Sequence, residues 1–178
     1  MSPLFESFIQ DYKDLKDLLL RQSQLSFQVT IDAHFKKIFL MSCASYHEHQ
    51  IQEMLEDFLR KSTNDIRASS FAINKGIKRQ YHTYFKWDNP NNINNFLGLF
   101  GESFKEYVSE EIKNSDILKT NVRAFIELGN LRNLMAHGNL LTFHLEKTFE
   151  ELVKLNGQAL DFVSYIKEKL DDISTTNL

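Results

Sequence analysis

Residues 116–138 read DILKTNVRAFIELGNLRNLMAHG and carry the pattern of a long amphipathic helix. Ser115 or Asp116 can cap the start of a helix, and apolar residues then recur three or four positions apart up to a glycine. The predicted core contacts of this helix are Ile117, Val122, Phe125, Ile126, Leu131 and Met135. Its last turns carry Arg132, Asn133 and His137. The spacing predicts a long helix that ends at Gly138 with polar groups beside an apolar face.

The same spacing extends over most of the chain. Only two prolines and six glycines interrupt the 178 residues, which favours helices nearly throughout. Helices are predicted at about 3–21 with Ser2 as the cap, at about 30–61, at about 92–112, at about 116–138, and from the link 139–143 to about 172, before a fraying tail at 174–178. We expect one domain over residues 1–178. It is an all-α bundle of four main helices with a short helical insertion, at about 65–95, between helices two and three.

The second helix has an unusual centre. Its predicted core residues are Ile31, Phe35, Ile38, Phe39, Met54, Leu55 and Phe58. Between these two apolar groups the predicted stripe runs through polar side chains, namely Ser42, Ser45, Tyr46, His49 and Glu53. Buried polar groups need hydrogen-bond partners, so this stretch predicts either a polar network or a functional surface.

Composition excludes several classes of protein. The net charge of −3, from 21 basic and 24 acidic residues, excludes a uniformly basic nucleic-acid binder. The single cysteine, Cys43, forms no intrachain disulfide, and the absence of CxxC and HExxH patterns argues against structural zinc. No apolar run is long enough to span a bilayer, and the first residues do not resemble a signal peptide. We therefore expect a cytoplasmic protein without membrane contact and without a cofactor.

Arg132 and His137 are the residue types that phosphodiester cleavage needs. A guanidinium matches phosphate oxygens, and an imidazole gains and loses its proton near neutral pH. The imidazole can remove the ribose 2′-hydroxyl proton or protonate the leaving 5′-oxygen, and the guanidinium stabilises the charge that develops on the phosphate. This scheme needs no metal. A His before a helix-ending glycine and an Arg at a helix edge are also ordinary structural features, so a capped helix end is the alternative.

The spacing of the pair constrains how it can act. Residues five positions apart on a regular helix point roughly 140° apart, so Arg132 and His137 of one chain diverge. They converge if the helix unwinds at Gly138, or if a second chain places its own motif opposite across a twofold axis. We favour the second chain, with unwinding as a contribution.

The motif and its context resemble a known family. The pattern RNxxAHG at residues 132–138, near the end of the penultimate helix of a small all-α bundle, resembles the signature of the HEPN superfamily. Upstream, the stretches SYHE at 45–48 and MLEDFL at 54–59 are similar to the polar, Glu-containing second helix of these domains. The RNxxAHG form and the insertion most resemble the RiboL-PSP type of HEPN domain.

The resemblance implies a metal-independent endoribonuclease that acts as a homodimer with a composite site, often as a toxin or antiviral effector. Arg132 would hold the phosphate, Asn133 would orient the site, His137 would be the acid/base, and Glu48 is a supporting candidate. The implied partners are RNA, a second copy of the chain across the Arg132/His137 motif, and a cognate antitoxin or defence-system protein. Some HEPN toxins carry a modifiable Tyr two residues after the His. Here Asn139 occupies that position, which puts this mode of neutralisation in doubt.

A basic segment supports an RNA substrate independently of the family. Residues 66–87 contain no acidic side chain but five basic ones, Arg67, Lys75, Lys78, Arg79 and Lys86. They alternate with Tyr81, His82, Tyr84, Phe85 and Trp87. Basic groups can follow a phosphate backbone, and exposed aromatic rings can stack on unpaired bases. The alternative is an amphipathic segment whose aromatic residues belong to the core.

Two other features do not indicate a metal site or a nucleophile, and one alternative function stays open. On a helix His47 and His49 point about 200° apart, so they cannot chelate one metal ion. Cys43 lies beside the core face and is expected to be a small buried hydrophobe rather than a nucleophile. The rival function is a non-catalytic HEPN-like module that binds RNA or protein, such as an antitoxin or adaptor.

Overall fold

The computed structural model describes residues 3–90 and 92–173, and it confirms the predicted all-α architecture. Within these ranges there is no strand. The α-helices are α1 Pro3–Arg21, α2 Leu25–Ser62, α3 Ile66–Ala72, α4 Tyr81–Tyr84, α5 Asn94–Leu97, α6 Glu102–Asn114, α7 Asp116–His137 and α8 Phe149–Ile173. The predicted cap Ser2 and the predicted fraying tail at 174–178 lie outside the described residues.

Four long helices form the bundle. α1 packs on α2, and α2, α7 and α8 pack on one another. An aromatic cluster joins α1, α2 and α8, in which the ring centroids of Tyr12 and Phe149 lie 3.9 Å apart and those of Phe39 and Phe149 lie 5.1 Å apart. Tyr12 also donates a hydrogen bond to Asp32 at 2.5 Å. Burial of these rings provides much of the favourable free energy of folding.

The second helix differs from its prediction at two points. It begins at Leu25, five residues before the predicted start, because the turn that follows α1 is short. Its buried stripe runs through Phe39, Leu40, Cys43, Ala44, His47, Ile51, Met54 and Leu55. The predicted stripe was wrong in the centre, since Ser42, Ser45, His49 and Glu53 are exposed and so is Ile38. The observed buried face of α2 contains one polar side chain instead of several. This avoids most of the free-energy cost of removing polar side chains from water.

That one polar side chain is paired in the core. His47 on α2 and Asn156 on α8 are both buried, and the Nε2 atom of His47 lies 2.9 Å from the Oδ1 atom of Asn156. Burial lowers the pKa of His47 to about 4, although the hydrogen bond with Asn156 acts in the opposite direction. His47 is therefore a neutral structural residue at physiological pH. Cys43 is buried as expected, and burial raises the pKa of its thiol.

The predicted helix at about 92–112 is broken. α5 is followed by a 3₁₀ turn at Gly98–Phe100 and then by Gly101, whose φ of 96° lies in the region that L side chains rarely adopt. This break lets both segments turn the apolar side chains Phe96, Leu97, Phe104 and Val108 into the core. Glu102, Glu106 and Glu110 face solvent. On the next helix the predicted core contact Ile117 is wrong, because its position in the first turn of α7 leaves it 74% exposed.

The insertion between α2 and α5 is anchored to the bundle. It contains α3, a π-helical turn at Ile73–Ile77, and α4. Tyr84 and Phe85 are buried, and the ring of Phe85 lies 5.0 Å from that of Phe125 on α7. The aromatic residues of the basic segment therefore divide into two groups, because these two belong to the core whereas Tyr81 and Trp87 are only partly buried.

Candidate functional site

An open cavity of about 250 Å³ lies between the insertion and the second and seventh helices. α2 contributes Ala44 and Glu48, α7 contributes Gly129, Arg132 and Asn133, and the insertion contributes Arg79, Tyr81, His82 and Trp87. Seven residues singled out in the sequence line this cavity, namely Glu48, Arg79, Tyr81, His82, Trp87, Arg132 and Asn133. The cavity combines charged groups of both signs with aromatic rings.

Arg132 is held in place by its neighbours on two helices. Its Nη1 atom donates a hydrogen bond to the Oδ1 atom of Asn133 at 3.0 Å, and its Nη2 atom lies 3.8 Å from the Oε2 atom of Glu48. The Arg132 and Glu48 side chains are each 35% exposed. Gln52 donates to the other oxygen of Glu48 at 3.4 Å. Because these contacts are long, the carboxylate keeps lone pairs for a ligand.

Part of the cavity wall depends on a close contact between Trp87 and Gly129. A Cβ atom at Gly129 would lie 2.0 Å from the Cζ3 atom of Trp87, so the indole occupies space that only glycine leaves free. The indole nitrogen of Trp87 donates to the carbonyl of His82 at 3.3 Å. Gly129 thus allows the insertion to dock on α7. A glycine inside a helical pattern is a signal of such a close approach, and it was the clue that the sequence analysis missed.

Tyr81 lines the same cavity and is partly buried. Its ring centroid is 5.5 Å from that of Trp87. Burial raises the pKa of Tyr81, and the negative charge of Glu48 raises it further, while Arg132 has the opposite effect. Tyr81 therefore stays protonated and its hydroxyl can act as a hydrogen-bond donor toward the cavity.

The basic side chains of the insertion are placed differently from one another. Arg79 lines the cavity, is exposed, and forms no ion pair within residues 3–90 and 92–173. Its φ of 65° is unusual for a residue with a side chain. Arg67 is bound to Asp65 through its Nη2 atom at 2.9 Å. The remaining RNA-binding candidates are exposed but do not line the cavity, namely Lys75, Lys78 and Lys86.

His137 does not line the cavity. It is the last residue of α7 and is exposed to solvent. The helix does not unwind before it, because the backbone N–H of Gly138 donates to the carbonyl of Leu134 at 3.0 Å. The predicted contribution of unwinding was therefore wrong. Within one chain the side chains of Arg132 and His137 keep the helical divergence of roughly 140°.

Exposed apolar side chains precede and follow His137 in the sequence. Leu134, Leu140 and Leu141 are 53%, 51% and 80% exposed. Lys37 on α2 donates to the carbonyl oxygens of Leu140 at 2.7 Å and Leu141 at 3.3 Å, which fixes the loop after α7. Ile38, the next residue on α2, is 52% exposed. We call these four exposed side chains the apolar rim of the motif.

The described ranges were also searched for clusters of metal-binding side chains. They contain no group of three or more His, Cys, Asp or Glu side chains that could hold a metal ion. His47 is buried against Asn156, whereas His49 is exposed and lies 3.2 Å from the carboxylate of Glu53. Among the helices described, none is apolar over a length sufficient to cross a bilayer.

Fold and site together define a HEPN-type domain: an all-α bundle whose penultimate helix ends in RNxxAHG, with a glutamate of the second helix facing the arginine. The chain belongs to the RiboL-PSP-HEPN family, whose model matches residues 6–172. This match confirms the resemblance in the sequence. No curated protein and no solved structure matches the chain.

Proposed function

We propose that this protein is a metal-independent endoribonuclease that acts as a homodimer. The observation that carries the proposal is the cavity in which Glu48, Arg132 and Asn133 meet a basic insertion, with His137 exposed one and a half turns further along α7. The HEPN superfamily, to which this family belongs, includes ribonucleases, and this agrees with the proposed activity. RNA is the ligand that best suits a guanidinium beside aromatic rings.

The proposed reaction needs two proton transfers. The ribose 2′-oxygen attacks phosphorus while a base takes its proton, and the 5′-oxygen leaves with a proton from an acid. The products are a 2′,3′-cyclic phosphate and a 5′-hydroxyl. Arg132 stabilises the charge on the phosphate oxygens, and His137 transfers the protons. Asn133 orients the guanidinium of Arg132 through the 3.0 Å hydrogen bond.

The placement of His137 supports a composite site. Because α7 stays helical through His137, one chain cannot bring this imidazole to the phosphate held by its own Arg132. We propose that His137 of a second copy approaches Arg132 across a twofold axis. The exposed apolar rim of Ile38, Leu134, Leu140 and Leu141 supports this arrangement, since exposed apolar patches mark interaction surfaces.

The test is cleavage of a single-stranded RNA by the purified protein in excess EDTA. We expect products with a cyclic phosphate and a 5′-hydroxyl. His137→Ala should lower the rate about 10²–10⁴-fold, as loss of an acid/base does. His144→Ala is the matched control, because His144 is also an exposed histidine and lies outside the motif, and its rate should equal that of wild type. If His137→Ala cleaves as fast as wild type, the assignment is wrong.

We also propose a role as a toxin or antiviral effector. Expression of the wild-type chain should then arrest growth, and expression of His137→Ala should not. A cognate partner that restrains the activity would relieve the arrest. If both chains are equally harmless, the toxin proposal fails while the cleavage test decides the chemistry separately.

A second function is favoured by the same separation of Arg132 and His137. A module that only binds RNA or protein needs the basic insertion but no convergent acid/base. It predicts that RNA binding persists in Arg132→Ala and His137→Ala, and that no cleavage appears at any protein concentration.

A further inference from the structure

The cavity beside Arg132 has a composition that a simple phosphate site would not have. Glu48 lines it together with the two guanidinium groups of Arg79 and Arg132. A carboxylate repels phosphate, so its presence opposes binding of an anion alone. The cavity instead suits a ligand that presents hydrogen-bond donors to Glu48 and acceptors to an arginine.

The size and walls of the cavity indicate a flat, small ligand. Its volume of about 250 Å³ lies below the roughly 300–1,000 Å³ of pockets that hold drug-sized molecules. Tyr81 and Trp87 line it, with ring centroids 5.5 Å apart. Aromatic side chains of this kind stack on unpaired bases in RNA-binding proteins. One nucleobase, rather than a longer piece of RNA, matches these dimensions.

The charged groups select among the four bases. A carboxylate accepts two hydrogen bonds side by side, and guanine is the RNA base whose Watson–Crick edge has two adjacent donors, at N1 and N2. Adenine, cytosine and uracil each place an acceptor there, which the carboxylate repels. The O6 and N7 atoms of guanine are also the preferred acceptors for an arginine.

We infer that this cavity binds one unpaired guanine base, with Glu48 accepting from N1 and N2 and Arg79 donating to O6 and N7. The choice of RNA as the source of this base rests on the proposed function. Guanine recognition would give the nuclease a sequence preference next to the scissile phosphate held by Arg132.

Arg79 is the guanidinium that is free for this role. Arg132 donates to Asn133 at 3.0 Å and faces Glu48, whereas Arg79 forms no ion pair in the part of the chain that the structure describes. The backbone of Arg79 has a φ of 65°, which costs free energy for a residue with a side chain. Such conformations cluster at ligand clamps, and this one holds Arg79 at the rim of the cavity.

Trp87 makes the inference measurable, because it is the only tryptophan in the chain and it lines the cavity. The experiment titrates the intact protein with guanosine, adenosine, cytidine and uridine 3′-monophosphates while recording tryptophan fluorescence. We expect 3′-GMP to saturate the signal at a concentration at least about tenfold lower than the other three, since a well-matched base contact discriminates by that much.

Two variants make the test specific. Glu48→Gln should reduce the preference for 3′-GMP to less than about twofold, because the amide replaces one acceptor by a donor. Glu53→Gln is the matched control, since Glu53 is an exposed glutamate of the same helix outside the cavity, and it should keep the full preference. Arg79→Ala should weaken 3′-GMP binding while leaving the Glu48-dependent order of the four nucleotides intact. Equal binding of the four nucleotides, no binding, or an unchanged preference in Glu48→Gln would overturn the inference.

The outcome is separable from that of the proposed function. The mononucleotides contain no scissile linkage, so their binding does not require catalysis. A guanine preference in a protein that cleaves no RNA supports the base site and contradicts the nuclease. Cleavage without any base preference supports the nuclease and contradicts the base site.

Discussion

The two ends of the Arg132–His137 motif lie in opposite environments. Arg132 is held by Asn133 and Glu48 inside a cavity that the insertion closes on one side. His137, on the same helix, is exposed, and the exposed residues Leu134, Leu140 and Leu141 precede and follow it in the sequence. The Arg132 end is therefore preorganised within one chain. The His137 end has an exposed imidazole and the apolar rim, and it lies outside the cavity.

The largest expected effect separates binding from turnover at these two ends. Arg132→Ala should lower both the RNA affinity and the rate, with a loss in kcat of about 10²–10³, since it removes phosphate stabilisation. His137→Ala should lower kcat by about 10²–10⁴ and leave the affinity unchanged. Equilibrium binding and single-turnover cleavage of the same RNA measure the two quantities. Equal losses of affinity in both variants would remove the distinction between the two ends.

The next effect concerns the buried His47, which lies in the core rather than at the motif. Burial lowers the pKa of His47 to about 4 from its ordinary 6.5. Between pH 6.5 and pH 4, His47 is therefore protonated in the unfolded chain but not in the folded chain. The free energy of unfolding should fall as the pH drops from 6.5 to 4, by on the order of 3 kcal/mol. Above pH 6.5 this contribution to the pH dependence vanishes.

Urea unfolding between pH 4 and 7 measures that slope. His47→Gln keeps a hydrogen-bonding group for Asn156 but does not titrate, so its curve should be flatter than that of wild type. A slope that is unchanged in His47→Gln would contradict this prediction.

A smaller effect tests how the insertion is docked at the Arg132 end. Gly129→Ala places a methyl group where the indole of Trp87 lies, 2.0 Å from its Cζ3 atom. Overpacking costs about 1–3 kcal/mol, and the better helix propensity of alanine recovers only about 1 kcal/mol. We expect net destabilisation and a red shift of tryptophan emission as Trp87 leaves its site.

Gly157→Ala is the matched control for this substitution. Gly157 is also a mid-helix glycine, and a Cβ there meets nothing within 4 Å. Alanine at this position should stabilise the protein by about 0.5–1 kcal/mol and leave the emission unchanged. If alanine changes the stability in the same direction at both positions, the docking of Trp87 does not require a glycine at position 129.

The smallest effect concerns the lysines outside the cavity. Lys86→Ala should weaken RNA binding a few-fold for all sequences and lower the slope of log affinity against log salt by about 0.7, because one phosphate contact is lost. Lys154→Ala, an exposed lysine on α8, should change neither quantity. Binding isotherms at several salt concentrations provide the measurement. An unchanged slope in Lys86→Ala would confine RNA contacts to the cavity.

The sequence predicted local features better than contacts between distant segments. The end of α1, the cap by Ser115 and the end of α7 were predictable, because capping residues and apolar spacing act within a few positions. The break at Gly101 was missed, although a glycine inside a helical pattern is a warning. The buried face in the centre of α2 was mispredicted, because it depends on the contact between His47 and Asn156. These two residues lie 109 positions apart in the sequence.

The candidate site was predictable in part for the same reason. Arg132, Asn133 and Glu48 were identified from a motif and a resemblance, and they do meet in one cavity. Whether Arg79 or Lys86 lines that cavity depends on how the insertion docks, and this depends on the contact of Trp87 with Gly129. No pattern within the insertion itself carries that information.

The measurement that tests the central claim most directly is complementation between two inactive chains. Arg132→Ala and His137→Ala chains with different tags are coexpressed, and the mixed dimer is purified through both tags. One of its two sites then has an intact Arg132 from one chain and an intact His137 from the other. We predict about half of the wild-type cleavage rate for the mixed dimer, with each parent dimer inactive. A mixed dimer as inactive as its parents would contradict a site shared between two copies.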